Sequence, residues 1–106
     1  MRTVEFRRLL NDGNALRVRF ELEQGLVTRF VVQLECRFND EWTSVVRYDA
    51  VHGFAHCDML RPYAATAKTE IAIQDYNEAL TFAIGDLAKN WSEYRRRYEE
   101  WLREKK

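Results

Sequence analysis

Apolar and polar residues alternate along most of the first 74 positions. Leu16, Val18, Phe20 and Leu22 are interleaved with Arg17, Arg19, Glu21 and Glu23. Phe30, Val32, Leu34, Cys36 and Phe38 are interleaved with Val31, Gln33, Glu35 and Arg37. A period of two is the mark of a half-buried strand. Val46, Tyr48 and Ala50, then Ala55, Cys57 and Met59, continue the apolar set. Val4 and Phe6 predict a first strand, and Thr69, Ile71 and Ile73 a short last one.

Polar breaks separate these runs. Asp12-Gly13-Asn14, Gln24-Gly25-Leu26 and Asn39-Asp40-Glu41 read as three-residue loops, and His52-Gly53 as a two-residue turn. A one-residue slip would move every side chain of a strand to the other face. These loop lengths put all the apolar sets on one face. They also place Phe20 opposite Phe30, Val32 opposite Tyr48, and Tyr48 opposite Cys57.

The period changes after Gln74. Asp75-Tyr76-Asn77-Glu78 has the capping-box form, and no proline follows it. Leu80, Ile84, Leu87, Trp91, Tyr94, Tyr98 and Trp101 make a heptad stripe. The expected fold is therefore α+β: an antiparallel meander sheet of five or six strands with one long C-terminal helix packed on one face. One domain is expected over 1–106, with the sheet in 1–74 and the helix in 75–104.

The expected helix is about 44 Å long at 1.5 Å per residue, whereas a six-residue strand spans about 20 Å. Unless the strand from Leu26 to Phe38 curls to follow it, the last three turns overhang. Trp91, Tyr94, Tyr98 and Trp101 then form an interface. A homodimer, or a complex with one protein partner through the helix, is the expected assembly. Glu93 with Arg97, and Glu99 with Arg103, are the expected charge pairs beside the stripe.

Composition narrows the function classes. Seventeen Lys and Arg balance seventeen Asp and Glu, so no globally basic nucleic-acid footprint exists, although a local patch is compatible with the pattern. No apolar run is long enough for a membrane helix, and residues 1–10 lack the layout of a signal peptide. Cys36 and Cys57 lack CxxC spacing and fall on apolar faces. They are read as reduced core residues of a cytoplasmic protein.

The densest polar grouping runs from Arg47 to Asp58. The turn at His52-Gly53 pairs Asp49 with His56 and Arg47 with Asp58. Gln33 lies opposite Arg47, and Arg17 opposite Gln33. The result is a polar band on the face away from the helix, edged by Val45, Val51, Phe54 and Leu60. The plainest account is a solvated sheet face held by cross-strand pairs, each contributing roughly 0.2–1 kcal/mol. A second account is acid–base chemistry on RNA without a metal or other cofactor. Asp49 would orient His56, His52 would supply a second imidazole, and Arg47 would hold a phosphate. A third is a zinc or iron site from Asp49, His52, His56 and Asp58, disfavoured because both carboxylates already have cationic partners.

This layout resembles the small TumE-type toxins of prokaryotic two-gene toxin–antitoxin modules, over residues 4–90. The similar features are the meander, Arg47-Tyr48-Asp49 at a strand end, His52 and His56 just after it, and Glu78-Ala79-Leu80 in the closing helix. The sequence lacks those toxins' basic, His-dense run and extends the final helix, so a sister family sharing the scaffold fits as well. The resemblance implies a toxin acting on RNA and neutralised by a DNA-binding antitoxin. The alternative from another class is a non-catalytic homodimeric interaction module.

Overall fold

The computed structural model describes residues 1–51 and 54–104. Among these residues the chain forms a six-stranded antiparallel meander: β1 (Arg2–Asn11), β2 (Asn14–Glu23), β3 (Leu26–Phe38), β4 (Glu41–Val51), β5 (Phe54–Met59) and β6 (Ala67–Ile71). The helix α1 (Tyr76–Glu104) follows and packs on one face of the sheet. The fold is the expected α+β arrangement.

The register agrees with the parity argument. Phe20 faces Phe30, Val32 faces Tyr48, and Tyr48 faces Cys57. The loops differ from expectation. The first three connections are two-residue turns, each accompanied by a one-residue irregularity in the ladder, before the first turn and after the other two. Leu10, Thr28 and Val45 are the extra residues. A two-residue turn plus a bulge preserves the parity of a three-residue loop. Gln24 and Gly25 have φ of 52° and 80°, and Asn39 and Asp40 have φ of 52° and 67°. Two consecutive positive φ values match the right-handed twist of the flanking strands. At the first turn the Asn11 side chain does the closing: its Oδ1 accepts from Gly13 N at 3.0 Å and Asn14 Nδ2 at 2.6 Å. The fourth turn, His52-Gly53, lies outside the described residues. The bulge also corrects the placement of Val45, which is buried in the core instead of edging the outer band.

The expected overhang of the helix does not occur. The 13-residue β3 reaches about 43 Å at 3.3 Å per residue, and the 29-residue helix about 44 Å at 1.5 Å per residue. The 13-residue β3, and not a six-residue strand, sets the span available to the helix. The helix follows β3 foremost, with β4 and β2 beside it. Trp91, Tyr94 and Trp101 are half-buried against the core, and Tyr98 is 8% exposed, its ring stacked on Phe38 at 5.4 Å. These four aromatics pack on the chain's own core, and Arg61 lies 4.8 Å from the Trp101 ring centroid, so much of their area is covered within one chain.

Both ends of the helix are tied down. Asp75 Oδ1 caps the first turn by accepting from Asn77 N and Glu78 N. Asn77 Oδ1 accepts from Val27 N at the start of β3. Near the other end Arg95 donates to Gly13 O at 3.0 Å, Asn14 Oδ1 at 2.9 Å and Arg37 O at 2.9 Å. Its guanidinium also lies 4.6 Å from the Phe38 ring centroid. Between the two ties, Asn90 leaves helical geometry (φ −110°, ψ 15°) and kinks the helix.

Candidate functional site

Successive strand residues point to opposite faces. The residues that alternate with the core set therefore share the face away from α1. Arg47 lies opposite Asp58 and Asp49 opposite His56, as the sequence predicts. Gln33 lies opposite Arg47, and Arg17 opposite Gln33. The sixth strand widens the band by placing Glu70 beside His56 and Lys68 beside Asp58.

Ion pairs organise this face. Arg47 Nη2 is 3.3 Å from Asp58 Oδ2, Arg47 Nε is 3.7 Å from Asp49 Oδ2, and Lys68 Nζ is 3.3 Å from Asp58 Oδ1. A second group sits nearer β1: Arg17 Nε is 3.0 Å and Arg7 Nε 3.5 Å from opposite oxygens of Glu35. In both groups the acid is the floor and the cations are the crown. The Asp58 side chain is 2% exposed, against 40% for Arg47 and 55% for Lys68. Glu35 is likewise more buried than Arg7 and Arg17. Around Asp58 and Glu35 the cations are therefore the outermost groups, while Glu70 beside His56 is exposed and carries the opposite charge.

Between the two groups, Ser44 Oγ donates to Gln33 Oε1 at 3.2 Å. The Arg7 guanidinium lies 4.3 Å, and that of Arg37 5.7 Å, from the Trp42 ring centroid. Cations flanking an indole at the edge of a polar sheet face make a stacking surface of the kind that bases use. His56 is half-buried, with the Phe54 ring 6.5 Å away. His52 and the side chain of Val51 lie outside the described residues, so the expected pairing of the two imidazoles does too. Among the described residues, no three of His, Cys, Asp and Glu are grouped to hold a metal ion. The four-ligand alternative required His52.

Tyr48 separates Arg47 from Asp49 and points the other way, into the sheet–helix interface. Its hydroxyl and that of Tyr94 each donate to Asp86 Oδ2 at 2.7 Å, and Asn90 Nδ2 donates to Asp86 Oδ1 at 2.8 Å. Burial, then the bonds to Asp86, push both phenols above their ordinary range. Burial also pushes the Cys36 thiol up to about 12 and the Cys57 thiol up to about 11. Both thiols stay protonated at neutral pH and are poor nucleophiles.

Sequence reasoning missed Glu35, Trp42, Lys68 and Arg95. Lys68 was within reach, because the alternation of β6 carried on from Asp58 would have found it. Glu35 bridges Arg17 on the adjacent strand and Arg7 two strands away, and pairwise register does not show such a contact. Arg95 looks like one charge among many on the helix, and only its tertiary partners distinguish it. The expected pairs Glu93–Arg97 and Glu99–Arg103 give way to Arg96 with Glu93 and Glu100, and to Arg95 with Glu99.

Among the described residues no helix is long and apolar enough to cross a membrane. A family model described as "Domain of unknown function (DUF7718)" matches residues 1–104. No curated protein and no solved structure matches the chain.

Proposed function

The chain belongs to the DUF7718 family, and we propose that it is a toxin-like protein whose outer sheet face takes RNA as its substrate. The observation that carries this reading is the arrangement of charge on that face. Arg47, Lys68, Arg17 and Arg7 stand above sunken carboxylates, and half-buried His56 is among them. A phosphate on Arg47 would lie near His56, two residue pairs along the β4–β5 ladder and on the same face. In the cleavage step, His56 takes the proton of a ribose 2′-hydroxyl. The oxygen attacks the adjacent phosphorus, and the 5′-oxygen leaves with a proton from a second acid, the role kept for His52. The products are a 2′,3′-cyclic phosphate and a 5′-hydroxyl end. Asp49, opposite His56 in the ladder, is the residue assigned to orient the imidazole, although its carboxylate lies 3.7 Å from Arg47 Nε.

Purified protein incubated with single-stranded RNA, beside His56→Ala and His52→Ala, tests the reading. Removing a general acid or base costs about 10²–10⁴-fold in rate. Cleavage that survives both changes at the wild-type rate sinks the site.

One observation favours a second reading, a non-catalytic interaction module on the same face. Arg47 is already held by two carboxylates, Asp49 and Asp58, which suits a docking surface better than a mobile phosphate clamp. RNA retention without cleavage, weakened by Arg17→Ala and Arg47→Ala, supports binding alone.

A further inference from the structure

The first strand is an open edge. β1 pairs with β2 on one side, and its other side ends the sheet. At ten residues it is twice as long as β6, the opposite edge. Long edges present unpaired N–H and C=O groups, and proteins normally shorten or cover them. The helix lies over β3, β4 and β2, which leaves Phe6 41% exposed on the inner face, and Leu9 is 62% exposed on the outer one. Glu5, Arg2 and Arg8 stand on this strand, and among the described residues none of them has an ion-pair partner.

We infer that β1 pairs antiparallel with β1 of a second copy of this chain, about a two-fold axis through Phe6. The strand is complementary to itself in only one such register. Joining the two sheets with matching faces requires even-numbered residues to oppose even-numbered ones. Centred on Phe6, the register sets Phe6 against its equivalent and Thr3 against Leu9. Glu5 falls opposite Arg7 twice. Moving the centre to Glu5 opposes Glu5 to itself and Arg2 to Arg8. Moving it to Arg7 opposes Arg7 to itself. Like charges directly opposed are destabilising, and opposite charges stabilising. The Phe6-centred pairing continues the outer faces of the two sheets into one surface, and it stands independently of any RNA chemistry there.

Sedimentation equilibrium of the full chain, with and without Glu5→Arg, tests the contact. A two-fold dimer is expected for wild type. Glu5→Arg is expected to weaken it by at least about tenfold, since both symmetric pairs become repulsive, with only a small fall in the thermal melt at low concentration from the like charge set opposite Arg19. Directly opposed Cβ atoms lie about 4.5–5.5 Å apart, close to disulfide range. Phe6→Cys should therefore cross-link on mild oxidation, whereas Thr3→Cys should not. A wild-type monomer at high micromolar concentration overturns the inference. So does a dimer that Glu5→Arg leaves at full affinity, or one in which Phe6→Cys fails to cross-link.

Discussion

The two faces of this sheet come from the same strands, one residue apart, yet they are held by different physics. The inner face is a continuous apolar surface under α1, from Phe30 through Val32 and Leu34 to Cys36. Two of its phenols, Tyr48 and Tyr94, are collected with Asn90 on Asp86. The outer face has no covering layer, and its order comes from carboxylates sunk between cations of neighbouring strands. Burial fixes the first face almost regardless of solution conditions. Coulomb attraction fixes the second and leaves its cations available to an incoming anion.

The sharpest test of this contrast is a cavity on the covered side. Phe30 is 1% exposed and packs edge-on against Tyr76 at 6.1 Å. Phe30→Ala should cost about 3–5 kcal/mol in urea denaturation. A smaller effect follows on the open side. Asp58→Asn keeps the volume but removes the charge that holds Arg47 and Lys68, at an expected cost of about 1.5–3 kcal/mol. A larger loss for Asp58→Asn than for Phe30→Ala would reverse the contrast. The smallest effect is alkaline and belongs to the covered face alone. Cys36 has its thiol pKa raised from 9.0 to about 12 by burial. Above pH 9 the unfolded chain therefore loses this proton while the folded chain keeps it. Stability contributed by the neutral thiol is complete below pH 9 and lost as pH rises toward 12. The slope is at most about 1.4 kcal/mol per pH unit. Melts between pH 8 and pH 10 should fall for wild type and fall less steeply for Cys36→Ala, the half-buried Cys57 thiol, raised to about 11, supplying slope of the same sign.

Much of this was legible in the sequence because strand alternation has no slack. Once Phe20 faces Phe30 and Tyr48 faces Cys57, the pairs Arg47–Asp58 and Asp49–His56 follow. What escaped depends on features that alternation does not encode. The three irregularities at Leu10, Thr28 and Val45 look like longer loops from the sequence, and the last of them turns a valine from rim to core. The length of β3 is present in the pattern, but whether the strand follows the helix depends on sheet twist and on the bulge at Thr28, which alternation does not encode. The partners of Glu35 and Arg95 lie across non-adjacent elements, where local periodicity gives no signal. Tyr48 shows how a short motif divides: Arg47 and Asp49 serve one face of the sheet, and the residue between them serves the other.

The order of the elements sets a timetable for synthesis. Every strand precedes the helix that covers the sheet, and Arg95 closes on Gly13 and Asn14, more than 80 positions earlier in the chain. At about 5–20 residues per second on the ribosome, the 29 residues of α1 take roughly 1.5–6 seconds to emerge. The finished meander must wait through that interval with Phe30, Val32 and Leu34 bare. The nascent chain is then most exposed to aggregation and to chaperone capture, and the last turns of the helix end that exposure.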